Sequence, residues 1–104
     1  MQTTAVTVLI RTRLLPDSIE QGKQALIDLA KEVRNAEPDC LAIELAQAMD
    51  EPADITMIEK WSSREAYEGP HMQSPHMKSF IEQSSRYFAG PPDISFWHGT
   101  RIDD

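Results

Sequence analysis

The chain has 104 residues, 40% hydrophobic and 26% charged, the balance of one soluble globular domain spanning residues 1–104. Its 10 Lys and Arg against 17 Asp and Glu leave a net charge of −7, a field that repels nucleic acid and anionic membrane. The apolar run Ala5 to Ile10 is too short to cross a bilayer and lacks the plan of a secretory signal. A lone cysteine, Cys40, forms no internal disulfide and suits a reducing cytoplasm. GxGxxG, GxxxxGK, CxxC and HExxH patterns are absent, which removes the common nucleotide and zinc signatures.

Val6 to Leu14 reads as a first strand, β-branched and alternating, with Val6, Val8, Ile10 and Leu14 on one face. Pro16 stops it. Asp17 and Glu20 have the spacing of a capping box, and Ile19, Leu26, Leu29, Ala30 and Val33 follow at helical intervals. That helix must end before Pro38, because a residue preceding proline avoids the α region. Cys40 to Met49 reads as a second strand with Leu41, Ile43, Leu45 and Met49 on one face. The turn 50–54 leads to a third, Ile55 to Trp61, with Ile55, Met57, Glu59 and Trp61 together. Ser62 and Glu65 predict a short helix over Ser63–Glu68 that stops at Gly69-Pro70. Ser74 with Pro75 marks the start of another helix, carrying Met77, Phe80, Ile81, Ser84 and Phe88 and ending at Gly90-Pro91-Pro92. A last strand runs from Ile94 to Ile102, with Ile94, Phe96 and Ile102 on one face and Trp97 on the other. Asp103 and Asp104 are expected to fray.

The order β-α-β-β-α-β is the ferredoxin-like α+β plan, a four-stranded antiparallel sheet with helices on one face. The other face carries Leu9, Ala42, Ala46, Ala48, Ile58 and Trp97 among Arg11, Arg13, Glu44, Lys60 and Arg101. Half-apolar surface of this kind marks an interface, so a homodimer packed sheet against sheet is expected.

Three stretches carry a family resemblance: Pro38-Asp39-Cys40-Leu41 leading into Glu44-Leu45-Ala46-Gln47, then Trp61-Ser62-Ser63-Arg64-Glu65-Ala66-Tyr67, then Ser74-Pro75-His76-Met77. With them, the chain from Val6 to about Ile102 resembles the antibiotic biosynthesis monooxygenase family of dimeric α+β barrels. The resemblance implies oxygenation of a quinol-like or polyphenolic small molecule with no metal or organic cofactor. It also implies a pocket walled by a tryptophan ending the third strand and a tyrosine six residues on, here Trp61 and Tyr67. The family's asparagine four residues before that tryptophan is Met57 here, and its helix arginine is Ile81. A haem-degrading branch of the superfamily uses a first-strand asparagine. Here the only asparagine is Asn35, at the end of the first helix, which leaves His76 as the one surviving feature.

Oxygenation without a cofactor needs a base beside the substrate hydroxyl, apolar walls and donors for the resulting anion. His71 and His76 are the candidate bases. His76 falls in the first turn of a helix, where the dipole favours the neutral form, but Ser-Pro-His also reads as plain helix-start chemistry. Trp61 and Tyr67 are candidates for the walls, or for ordinary core packing. Gln47 and Glu59 are polar residues on apolar strand faces and need partners, in the pocket or at the interface. Arg11 and Arg13 read as solvated or salt-bridged, Cys40 as a small buried hydrophobe, and His98 as a core histidine rather than part of a three-histidine metal site with His71 and His76. The sequence thus leaves two readings: a cytoplasmic dimeric monooxygenase acting on a small aromatic substrate, or a dimeric barrel that binds a small apolar ligand without chemistry.

Overall fold

The computed structural model describes residues 5–102. Strand β1 spans Val6–Arg13, helix α1 Ile19–Ala36, β2 Cys40–Gln47, β3 Asp54–Trp61, α2 Arg64–Ala66, α3 Pro75–Gln83 and β4 Asp93–Trp97. The sheet order is β2-β3-β1-β4 with every pairing antiparallel, the arrangement expected of a ferredoxin-like α+β fold. Val6, Val8, Leu14, Ile55, Met57, Glu59 and Trp61 are all buried, as the alternation requires.

Several local expectations fail. Asp17 and Glu20 form no capping box. Pro16–Ser18 makes a turn of 3₁₀-helix, and Ser18, the residue before α1, makes no side-chain cap. A register shift between Cys40 and Ala42 bulges β2, so Cys40 is buried and Leu41 is 48% exposed. Met49 lies past the end of β2 and is also exposed. The residue capping α2 is Ser63, whose hydroxyl accepts from the Ala66 amide at 3.1 Å. Ser62 instead donates to Asp39 Oδ1 at 2.6 Å.

The short helix expected over Ser63–Glu68 does not stop at Gly69-Pro70. The backbone widens into a π-helical turn over Tyr67–His71 with Pro70 inside it. Widening accommodates the missing proline N–H and separates its ring from the preceding turn. Ser74 then caps α3 as expected, with Pro75 in the first turn, and its hydroxyl also donates to the His71 carbonyl at 2.7 Å. Strand β4 ends at Trp97, which leaves His98 and Ile102 exposed beyond it. The expected fraying of Asp103 and Asp104 lies outside the described residues.

The core divides in two. Val6, Val8, Val33, Cys40, Trp61, Ala66 and Tyr67 form one cluster; Leu14, Leu26, Ile55 and Met57 form the other. Between them, bounded by the sheet, α1, α3 and the segment 84–94, lies a cavity of about 510 Å³.

Gly22 shows how tightly the second cluster closes. A Cβ there would overlap Leu14 Cδ2 and sit 3.1 Å from Tyr87 Cβ. Leu14 is buried and has nowhere to retreat. Exposed helical Gly→Ala gains about 1 kcal/mol, but Gly22→Ala is expected to lose on the order of 1–3 kcal/mol through overpacking, read as a lower urea midpoint.

Candidate active site

Pro38 places the first functional group. It holds Glu37 in an extended conformation, φ −122° and ψ 99°, directly after α1. The side chain swings off the helix towards the π turn and the start of α3. There its Oε2 lies 2.8 Å from His71 Nδ1 and 2.6 Å from His76 Nε2. A carboxylate only accepts, so both ring nitrogens carry the proton and donate. On its other side His76 Nδ1 stands 3.9 Å from Glu32 Oε2, an exposed carboxylate one turn earlier on α1.

His71 is 3% exposed. Its ring centroid is 4.6 Å from that of Trp61 and 5.0 Å from that of Tyr67, and the latter two meet edge to face at 5.6 Å. With Nδ1–H on Glu37, Nε2 holds the lone pair. This atom makes no hydrogen bond among the described residues, yet none of their buried side-chain nitrogens or oxygens lacks a partner. Nε2 therefore opens on the cavity that His71 borders. Burial lowers the His71 pKa; the Glu37 hydrogen bond and charge oppose that shift, and His76 adds to it.

The expected site residues fall into two groups. His71, Tyr67 and Glu59 border the cavity. Trp61, expected as a wall, does not. It is completely buried behind them and donates from Nε1 to Glu59 Oε1 at 2.8 Å, so it is a scaffold for the wall. His76 also stays out of the cavity, behind Glu37. Gln47 lies at the strand end, accepting from Lys23 Nζ at 3.0 Å and donating to the Pro52 carbonyl at 2.8 Å, which corrects its assignment to the pocket. The remaining walls are mostly apolar, among them Ile10, Leu29, Met72, Met77, Phe80 and Phe88, with the hydroxyl residues Thr12, Ser84 and Ser85 also on the lining.

Burial pushes the Tyr67 hydroxyl well above the usual phenol range and the Cys40 thiol up to about 11. Both stay protonated at neutral pH, so Cys40 is no nucleophile. Arg13 pairs with Asp54 at 2.9 Å on the surface, and Arg11 is exposed. Neither brings charge to the cavity.

Glu37, His71 and His76 place three donor atoms within 4.8 Å of one another, the only such metal-capable set among the described residues. His98 does not join it. Ligands on a shell of about 2.0–2.1 Å would stand roughly 3 Å or more apart, whereas both nitrogens approach the same oxygen more closely. The geometry is that of two hydrogen bonds. Asn35 is exposed on α1, so the haem-degrading arrangement has neither its asparagine nor its histidine on the cavity.

The family model of antibiotic biosynthesis monooxygenases matches residues 5–83. The chain belongs to the antibiotic biosynthesis monooxygenase family. No curated protein matches the sequence. Solved structures share the fold. A protein from Pseudomonas aeruginosa is 23% identical with a TM-score of 0.84, covering 97% of this chain and 99% of its own. A conserved protein from Methanosarcina mazei Go1 is 19% identical with a TM-score of 0.81, covering 94% and 95%. A third structure, of an antibiotic biosynthesis monooxygenase, is 20% identical with a TM-score of 0.80, covering 92% and 99%. The segment 84–94, which closes one side of the cavity, lies beyond the part of this family member that the model matches.

The two shifted groups make opposite contributions to stability. Burial first, and then Glu37, raise the Glu59 pKa above 4.5, with the Trp61 bond opposing. Its contribution is therefore complete below 4.5 and lost as pH rises through the raised native value. The His71 value is lowered, so its contribution is complete above 6.5 and lost as pH falls. Urea titrations across pH are expected to show Glu59→Gln gaining on the wild type as pH rises, and a His71→Gln variant losing less than the wild type on acidification.

Proposed function

We propose that this protein is a cofactor-independent monooxygenase of a quinol-like or polyphenolic small molecule, with His71 as the general base. The observation that carries the reading is the His71 imidazole, fixed through Nδ1 on Glu37 and opening Nε2 on an apolar cavity. A cavity of about 510 Å³ suits a ligand of two or three fused rings. The net charge of −7 favours a neutral one.

In the reaction, a ring hydroxyl gives its proton to His71 Nε2. The electron-rich ring anion then reduces dioxygen. A hydroquinone and dioxygen give a hydroxyquinone and water, so one oxygen atom enters the ring and the other leaves as water. Glu37 holds the imidazole in the basic tautomer and balances the imidazolium that forms. Tyr67 supplies a protonated hydroxyl at the wall. The apolar lining keeps the anion away from bulk water. His76, expected as an alternative base, acts through Glu37 in this reading.

The nearly unbroken apolar lining also suits the second reading, a barrel that binds such a ring without oxidising it. Oxygen uptake with a panel of naphthohydroquinones, in chelator-treated buffer, separates the two. Catalysis is expected in the wild type. His71→Gln is expected to lower it on the order of 10²- to 10⁴-fold, Glu37→Gln less, and Gln47→Ala hardly at all. Ligand binding with no uptake for any quinol leaves the binding module standing and removes the enzyme.

The working unit is proposed to be a homodimer in a cytoplasmic setting. The surface is 7215 Å², against roughly 5,900 Å² for a compact monomer of this mass. On the outer sheet face Leu9 pairs with Ile58, and Trp97 beside them is 56% exposed. Sedimentation is expected to show twice 11.8 kDa; a single species at the monomer mass overturns the dimer.

A further inference from the structure

The cavity wall carries a second polar group that proton abstraction does not use. Glu59 stands at the centre of the sheet, in a cross-strand row with Ile43, Val8 and Phe96. It is 8% exposed. Oε1 accepts from Trp61 Nε1. Oε2 makes no hydrogen bond among the described residues, although none of their buried side-chain oxygens is unpartnered. Oε2 therefore reaches the open space of the cavity that Glu59 borders.

Among the described residues no cationic group contributes to the shift of this carboxyl. Of the titratable groups, Glu37 at the end of α1 raises the Glu59 pKa; the Glu59 charge in turn raises those of the Cys40 thiol on β2 and the Tyr67 hydroxyl in the π turn, and His71 borders the same cavity. A carboxylate here would be desolvated beside another acid, with one indole N–H as its only donor. That is the setting in which a buried acid takes up a proton rather than remain charged. The protonated acid then has one O–H to donate, and the only unfilled direction is the cavity.

We propose that Glu59 works as a neutral carboxylic acid, donating from Oε2 to an oxygen of the bound ring. The cavity then selects molecules with two oxygens in distinct roles: a hydroxyl that yields its proton to His71 Nε2, and a second oxygen that accepts from Glu59. Deprotonation of the hydroxyl delocalises charge onto that second oxygen, where a preorganised donor stabilises it. Glu59 is thus a specificity-determining and anion-stabilising residue. The proposal rests on the ring-binding reading of the cavity.

Calorimetry with two unreactive probes tests it. One is a hydroxytetralone, with a phenol and a ketone; the other is the matching tetrahydronaphthol, with the phenol alone. The wild type is expected to prefer the hydroxytetralone on the order of tenfold. Glu59→Gln keeps a donor for the ketone and an acceptor for Trp61, and should keep the preference. Glu59→Leu should lose it. Raising the pH through the Glu59 titration should erase the preference in the wild type but not in Glu59→Gln, a comparison that stands even where Glu59→Leu fails to fold. Equal binding of the two probes by the wild type overturns the role of Glu59 and leaves the ring-binding cavity intact. So does a preference that survives in Glu59→Leu, or a preference in Glu59→Gln that falls with pH as in the wild type. Binding of neither probe overturns the ring-binding reading itself.

Discussion

A carboxylate at the C-terminal end of a helix meets the negative end of the dipole and gains nothing from its own element. Glu37 stands in that unfavourable place because Pro38 takes it out of the helix and turns it towards the two histidines. One oxygen then ties the end of α1 to both the π turn and α3. It fixes the His71 tautomer, and with it which nitrogen faces the cavity. Removing the charge would leave two buried imidazole N–H groups competing for weaker acceptors, so the position of the whole helical layer over this part of the sheet depends on it.

The π turn belongs to the same arrangement. A regular helix through Pro70 would require an amide that proline lacks. The wider turn that replaces it sets Tyr67 and His71 side by side against Trp61. Trp61 in turn reaches Glu59 two residues earlier on its own strand, across a single pleat. His71, Tyr67 and Glu59 are therefore coupled through one indole that is not on the cavity lining. Local backbone irregularity, a buried aromatic and a buried acid, each costly alone, satisfy one another here.

Much of the fold was legible because it rests on periodicity. The alternation of Val6, Val8 and Ile10 and of Ile55, Met57, Glu59 and Trp61 sets both central strands and their register. Pro38 and the Ser74-Pro75 pair set two helix boundaries. The site was legible only where a residue stood out against its own element, as Glu59 does on an apolar face. His71 was visible as a titratable loop residue, but nothing local distinguishes it from His76; the choice depends on which side of Glu37 each lands. For Trp61 the choice between pocket wall and core packing stayed open, because spacing gives sequence neighbours and not depth. Glu37 left a signal, an acid misplaced at a helix end before proline, but its partners lie more than thirty residues away and no local rule connects them. The bulge at Leu41 and the turn through Pro70 are tertiary accommodations, invisible to period counting.

The cavity itself imposes the last constraint. At about 24 cal/mol per Å³, a sealed dry void of about 510 Å³ would cost on the order of 12 kcal/mol. That is comparable to the whole stability of a domain, about 5–15 kcal/mol. A fold of 104 residues cannot carry such a void as a packing defect. The structure avoids the full cost because the cavity is not sealed: the exposed residues Ala89, Gly90, Pro91 and Pro92 line one side of it. An apolar ring bound there, as proposed, would make contacts the divided core lacks. Occupancy by the proposed ring would therefore stabilise a core that is divided into two clusters when empty.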